Sequence, residues 1–391
     1  MTDTDSTIVA STWTQALRPP EKMPEAADVV IIGGGIVGVS TAWFLARQGV
    51  QVVLCEKGHI AGEQSGRNWG WVRVQGRDVR EIPMMLESLR IWDRLEQDTG
   101  EDVGFVRRGC LFTAGSDKEM RSFENWIAVA GEHGIESRLL SATELKKLVP
   151  GSALKRAGAV YTESDGRAEP HKAAPAIARA ALRAGATILT SCAVRGLEPS
   201  GGAVSAVVTE HGTISAPTVL CAAGAWSSMF CRSLGVGVPQ LKVRGTVART
   251  APCANVLEGN LFDERLGIRR RQDGGLTLAH GTVLQHPITP STFRWGFKFI
   301  PALMQELKVL RLSLGKEFFE EWRQPATWDL DAVTPFEQNR VLNPEPSAKV
   351  LRGIRKNLDI MFPQLADTPI VESWAGMVET SPDVVPMIGP V

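Results

Sequence analysis

The feature that most constrains the fold is a stretch of the chain, residues 28–57, in which two short apolar runs flank a glycine turn. Asp28 to Ile32 is almost wholly apolar and reads as a buried parallel strand. Gly33, Gly35 and Gly38 then give the G-x-G-x-x-G spacing at the start of a helix, with Ile36 and Val37 in its first turn and its end near Gln48. A second strand, Gln51 to Leu54, leads to Glu56 and Lys57. Gly33 permits a tight turn, Gly35 lets backbone approach a pyrophosphate, and Gly38 lets helix and strand pack closely. The free N–H groups of the helix start face phosphates. Glu56, 23 residues after Gly33, is placed to accept hydrogen bonds from a ribose diol. The stretch predicts a Rossmann-like α/β domain that binds an adenine dinucleotide.

A chain of 391 residues has room for about two domains. Lys and Arg together number 43, matched by 43 Asp and Glu, and no long basic block occurs, so nothing asks for a nucleic-acid partner. Six cysteines, at 55, 110, 192, 221, 231 and 253, occur without a C-x-x-C and read as reduced packing residues, in keeping with a cytoplasmic setting. The six histidines, at 59, 133, 171, 211, 280 and 286, lack metal-ligand spacing, so no metal site is expected. Residues 1–26 are polar and Pro-containing and read as a loose arm, not a signal peptide. No apolar run is long enough to predict a spanning helix.

After Glu56 comes a loop dense in Gly and polar groups, with Ser65, Gly66, Arg67, Asn68, Trp69, Trp71, Arg73 and Gln75. Such a loop is expensive to order unless it wraps something, and its position points to the cofactor. Residues 81–97 carry apolar groups at helical spacing. Phe105 to Thr113 reads as a strand, and helices follow at about 117–133 and 142–148. Ala159 to Thr162 is a strand, Lys172 to Arg183 an Ala-rich helix, and further strands fall within Ile188 to Val194 and at 204–209. The strand at 218–222 ends in Ala223-Gly224-Ala-Trp226, a second place where backbone can approach a ligand. Residues 240–290 change character: strands at Val243 to Thr250, Leu266 to Arg271 and Leu276 to His280, with Asp273-Gly274 as a hairpin turn, predict an antiparallel sheet and a second, α+β domain. Trp295 to Trp322 reads as a strongly amphipathic helical stretch capping a substrate cavity or the sheet, with a membrane-surface helix as the alternative. Residues 350–360 form a helix and Ile370 to Val378 a strand. The pattern assigns residues 27–105 and 150–235, completed by about 375–391, to the cofactor domain, and residues 106–149 and 236–374 to the substrate and cap domain.

These pieces together resemble the flavin-dependent family that includes D-amino-acid oxidase, glycine oxidase, sarcosine oxidase and related amino-acid and opine dehydrogenases. The matching segments are Val29 to Gly38, Glu56, Ser65-Gly-Arg-Asn68, Asp165-Gly166, Val219 to Ser227, and Trp374-Ala-Gly376-Met377-Val-Glu-Thr-Ser-Pro-Asp-Val-Val-Pro-Met-Ile-Gly389. The resemblance implies FAD with its ADP half on Gly33, Gly35 and Gly38 and its ribose on Glu56. It places Ser65 and Arg67 along the phosphates and ribityl chain, Val194 near the adenine, and the isoalloxazine between the two domains. The implied reaction is oxidation of a C–N bond of an amino acid or secondary amine, with hydride passing to flavin N5 and water hydrolysing the imine.

Three departures from the family pattern shape the expectations. Glycine and D-amino-acid oxidases hold the substrate carboxylate with an Arg where this chain has Val378, so replacement donors are sought in Arg269, Arg73 and Gln75. His280 and Trp374 are candidates for the cavity wall. The sarcosine-oxidase branch attaches flavin through a Cys at the place of Gly376, so FAD is expected to be noncovalent here. The family pattern continues past Pro-x-Ile-Gly with a strand, a second Gly-rich turn near the flavin and a closing helix, whereas the sequence here stops at Val391, and without those pieces part of the flavin pocket is expected to be open. The electron acceptor is left open between oxygen and a quinone or partner subunit, with peripheral contact at the inner face of a membrane and homo-oligomerisation both compatible. The alternatives are an inactive or partner-dependent flavin-binding subunit or fragment, or an NAD-linked dehydrogenase.

Overall fold

A computed structural model describes residues 22–306 and 310–391. Most of the arm at residues 1–26, and Leu307 of the expected cap helix, lie outside the described residues. The end of the arm is not loose: Ser215 N donates to Glu25 O and Ala27 N to Ser215 O, both at 2.9 Å, and Met23 packs on the core beneath.

The apolar run at the start of the chain is a central strand because it has neighbours on both edges. A four-stranded parallel sheet runs in the order Thr218–Cys221, Val29–Ile32, Val52–Cys55, Thr187–Leu189. Helices Ile36–Ala46 and Pro170–Arg183 cover one face. Small side chains (Ala42 and Ala46 on one helix, Ala173, Ala174, Ala178 and Ala181 on the other) let the two backbones approach, with Ile31 and Leu54 beneath. The other face carries an antiparallel meander, Val194–Ser200, Ala203–Thr209 and Gly212–Ser215, over a core that includes Val30, Val53, Val207, Ile214, Trp226 and Phe230.

The second domain is a ten-stranded mixed sheet. Its order is Leu310–Ser313, Leu284–Pro287, Leu241–Thr250, Leu276–His280, Leu266–Arg270, Asn260–Phe262, Cys110–Ala114, Gly158–Thr162, Ser137–Ser141, and Ile370–Thr380 joins it by pairing antiparallel along Leu241–Thr250. The expected hairpin turn forms, with Gly274 at φ +83° and the Asp273 carboxylate accepting Gly275 N at 2.9 Å. Alternation along the strands sends Leu266, Ile268, Leu276 and Leu278 to one face, where Val350, Ile354 and Leu358 of helix Ala348–Met361 cover them.

Three sequence expectations are corrected. The strand at Gly158–Thr162 pairs with Cys110–Ala114 and Ser137–Ser141 in the large sheet, not with the cofactor domain. The stretch read as one strand over Phe105 to Thr113 is two, Val106–Arg107 and Cys110–Ala114, broken where Gly109 at φ +76° packs under the Tyr161 ring. The cap is not one helix: helical pieces at Pro290–Trp295, Gly296–Phe299, Ile300–Glu306 and Lys316–Trp322 are interrupted by strand Leu310–Ser313, which pairs with Leu284–Pro287. Pro290, Gly296, Pro301 and Gly315 supply the breaks. Ile354 is fully buried in the sheet–helix core, so Ile354→Ala is expected to lower the unfolding free energy by about 3 kcal/mol, read from urea denaturation, whereas Ile360→Ala, at 45% exposed, changes it little.

Candidate active site

Each glycine of the first turn is required by a different neighbour. A Cβ on Gly33, which sits at φ +111°, would lie 2.5 Å from the Ala222 carbonyl oxygen, and one on Gly38 would lie 1.9 Å from the Gly33 oxygen. A Cβ on Gly35 would meet only the Ser65 hydroxyl, at 3.1 Å, so its outer side is the open one. Ser65 Oγ accepts the N–H of Ile36 at 2.9 Å, and Val37 beside it is exposed. Glu56 is held at the end of its strand by the N–H groups of Gly34 and Gly58, both at 2.6 Å, while burial pushes its carboxyl up in pKa. Cys192 N donates to the Glu56 backbone O at 2.9 Å, which leads the chain from the end of that strand into the strand beginning at Val194, whose first side chain is buried in the core. Ala223 and Gly224, the latter at φ +51°, follow the strand that packs against Gly33. An open glycine backbone, a helix start and an acidic strand end fit the ADP half of FAD.

The loop after Lys57 folds into a short helix, Gln64–Arg67, that meets the long strand Ile370–Thr380. A Cβ on Gly66 would lie 2.3 Å from Ala61 O, and one on Gly376 would lie 2.4 Å from Gln64 Oε1. That amide oxygen is buried with no hydrogen-bond partner among the described residues. Arg67 donates to Gly62 O, Ala375 O and Asn343 Oδ1, and Trp374 Nε1 donates to Arg67 O at 2.9 Å. Asn68 turns the chain: its amide donates to Ser65 O at 2.9 Å and its carbonyl accepts Gly70 N at 2.7 Å. Lys57 and Trp226 are joined through Glu63, with Lys57 Nζ at 2.9 Å and Trp226 Nε1 at 2.9 Å from Oε1, and the ammonium lies 4.3 Å from the Trp226 ring centroid.

Strand register settles which side chains face this loop. Val243 is opposite Val378, Gly245 opposite Gly376, and Val247 opposite both Trp374 and Ala279, so these share the face that meets Gln64–Arg67. Met377 points the other way, opposite Arg244, and does not join Gly376 on that face. Farther along, Trp69 packs on Gly267 and stands edge-on to Trp71 at 5.2 Å, which in turn approaches Phe262 and Phe112. The Arg73 guanidinium lies 5.3 Å over Phe112, and burial draws its pKa down. Gln75 is buried; its Oε1 accepts Thr162 Oγ1 at 2.7 Å and its Nε2 has no partner among the described residues. Asp165 fixes this part of the loop by accepting Val74 N at 2.7 Å and Gln75 N at 3.2 Å, and burial pushes its carboxyl up to about 6.

Two candidates are placed elsewhere. Arg269 is 1% exposed and its guanidinium is already engaged: Nε donates to Trp69 O at 2.6 Å, Nη1 and Nη2 to Glu169 at 2.8 and 3.1 Å, and Nη2 to Thr277 Oγ1 at 3.0 Å. It ties the two domains together and has no face left for a carboxylate. His280 sits against Gly353 of helix Ala348–Met361, 3.3 Å from the Cβ position there, and so lies on the core face of the sheet. Glu63, Asp165 and Glu169 were not singled out as site residues. Asp165 stands in the Asp-Gly segment that carried the resemblance, but Glu63 and Glu169 act on residues 279 and 100 positions away, which no local pattern signals.

The fold and this site define a two-domain flavoprotein: a dinucleotide cradle on a parallel sheet, facing a mixed sheet across a loop rich in Trp and Arg. The pattern of the family described as FAD dependent oxidoreductase matches residues 28–391, and the chain belongs to that family. Among solved structures, L-amino acid deaminase from Proteus myxofaciens superposes with a TM-score of 0.92 at 30% identity, covering 96% of this chain and 85% of that one. Glycine oxidase from Geobacillus kaustophilus, at 21% identity and a TM-score of 0.73 over 93% of this chain and 86% of that one, shares the fold. Mitochondrial sarcosine dehydrogenase from Mus musculus is 33% identical over 234 residues, 56% of this chain and 25% of its own length. Mitochondrial dimethylglycine dehydrogenase from Rattus norvegicus is 26% identical over 95% of this chain, so the chain spans about 40% of that relative's length.

Removing one partner of the buried Arg269–Glu169 pair strands the other charge, so Glu169→Ala is expected to cost about 3–5 kcal/mol in denaturant unfolding. Asp165 binds its proton more tightly folded than unfolded. It therefore contributes a stability that is fully present below the unfolded value of about 4 and is lost as pH rises through about 6. Melting temperatures of Asp165→Asn between these pH values are expected to lack the part of the decline that wild type shows.

Proposed function

We propose that this protein oxidises the C–N bond of an amino acid or secondary amine carrying a bulky apolar group, with FAD held noncovalently. Bound FAD supplies the acceptor for the hydride that leaves the carbon beside nitrogen, and water hydrolyses the resulting imine. The observation that carries the reading is the apolar strip on the sheet face that meets the cofactor loop: Val243, Gly245, Val247, Ala279, Gly376 and Val378. Val378 is 37% exposed, so its side chain reaches open space where glycine and D-amino-acid oxidases carry an Arg. A strip of this kind favours an apolar substituent over a second charge.

The chain's own residues then divide the work. Val243, Val247 and Val378 orient the substituent, and Trp69 and Trp71 with Phe262 keep water from the reacting carbon. Arg73, whose Nη1 donates to Gln75 O, offers its remaining guanidinium N–H groups to a substrate carboxylate. The residues of the strip itself, Val243, Gly245, Val247, Ala279, Gly376 and Val378, carry no group that could take a proton from the substrate amine, which therefore enters as the free base. The 30% identical relative, named an L-amino acid deaminase, supports an amino acid over a simple amine.

A second face supports a membrane-side acceptor. In the cap, Phe293, Phe297, Met304, Leu314 and Trp322 are each at least 65% exposed, and Lys298, Arg311 and Lys316 lie among them. No helix among the described residues is long and apolar enough to cross a membrane, so the proposed contact is peripheral, at the cytoplasmic face, with a membrane quinone taking the electrons.

The test is anaerobic titration of the flavin absorbance with glycine, large apolar amino acids of both configurations, and N-alkyl amino acids. Bleaching by the large apolar compounds supports the reading; faster bleaching by glycine than by all of them overturns it. Arg73→Met is expected to raise KM for amino acids on the order of 100-fold and to leave amines without a carboxylate unaffected. Phe293→Ser with Phe297→Ser is expected to abolish co-sedimentation with anionic vesicles.

A further inference from the structure

Residues 323–347 connect the cap helix Lys316–Trp322 to helix Ala348–Met361, and apart from Pro335–Gln338 they have no regular structure. The segment leaves its own domain and lies on the cofactor domain. Trp328 Nε1 donates to Arg195 O at 2.7 Å, Glu337 pairs with Arg195 at 2.6 Å, and Phe336 is buried against Trp226, Phe230 and Trp328. These contacts anchor it to the far side of the parallel sheet.

The next residues do something more specific. Lys57 Nζ donates to Asn339 O at 2.8 Å and Arg340 O at 3.0 Å. Arg340 pairs with Glu210 through both terminal guanidinium nitrogens, and its Nη1 also donates to Lys57 O at 3.1 Å. Gly58 has no Cβ because one would lie 2.5 Å from Arg340 O. Leu342 N donates to Glu63 at 3.0 Å, and Asn343 Oδ1 accepts from Arg67 at 2.6 Å. Residues 339–343 therefore touch Lys57, Gly58, Glu63 and Arg67, which lie between Glu56 and the end of the helix carrying Ser65. That loop contains Gly58, Gly62 and Gly66, so by itself it has a large conformational entropy to lose.

We propose that residues 339–343 are a clasp that pre-forms the cofactor loop, with Glu63, Lys57 and Arg340 as positioning residues for FAD. The inference rests on FAD as the occupant of the cradle. The clasp makes the loop's shape before the cofactor arrives, so part of the ordering entropy is no longer charged to binding. Linkage makes the effect reciprocal: FAD must hold the clasp down by the same factor by which the clasp tightens FAD.

The experiment compares apoprotein and FAD-loaded protein for wild type, Arg340→Ala and Asn343→Ala. FAD affinity is read by quenching of flavin fluorescence, and amide hydrogen exchange is followed over residues 336–343. FAD is expected to slow exchange there in wild type. Each variant is expected to raise the Kd for FAD, on the order of tenfold for Arg340→Ala, and to lose a matching share of that protection. A variant that speeds exchange over 336–343 but binds FAD as wild type does overturns the clasp. Asn343 is exposed, so its variant keeps the test open should Arg340→Ala fail to fold. Wild-type protein that binds no FAD would overturn the reading beneath the clasp, a result separate from any difference between variants.

Discussion

The two domains meet on a charge that neither can leave unpaired. Arg269 projects from the mixed sheet into a place sealed from water, where an isolated guanidinium would be prohibitively costly. Its partners come from three separate parts of the chain: Glu169 before helix Pro170–Arg183, the Trp69 carbonyl in the flavin-side loop, and Thr277 on the neighbouring strand. Gly70 at φ +77° makes the approach available, because a Cβ there would lie 2.8 Å from Arg269 Nε. The orientation of the sheet toward the cradle, and with it the position of the apolar strip, depends on this junction.

Much of the architecture was legible because its signals are local. The glycine turn, the two apolar runs and Glu56 fall within thirty residues, and each works through backbone geometry that residue type dictates. The hairpin at Asp273-Gly274 and the amphipathic helix at Ala348–Met361 likewise needed no distant information. The cap was misread because apolar spacing outweighed its Pro and Gly breaks, and Leu310 and Leu312 serve an alternating strand as well as they would a helix. Gly158–Thr162 was misassigned because a strand's own residues do not say which sheet it joins.

The site was legible to a lesser depth. Glycines and the acidic strand end declare a nucleotide, but the side chains around the reacting position are distinguished by partners far away in sequence. Arg269 and Arg73 look alike in a string of letters; one is saturated by Glu169 and the other lies over Phe112. His280 and Ala279 are adjacent, yet alternation sends the first to the helix core and the second to the cofactor side. Only register separates them.

The pairing of Leu241–Thr250 with Ile370–Thr380 also limits how such a site can change over time. Along these strands the cofactor-facing positions recur every second residue, and the register is held over ten paired positions with one shift near the end. A single inserted or deleted residue before Trp374 would carry Val378 to the opposite face and bring Met377 or Glu379 to the cofactor side. Drift in length is thus closed to this segment, while replacement at 243, 245, 376 and 378 leaves the ladder intact. Related proteins with different appetites should differ there by substitution, and their insertions should gather in the connections between elements.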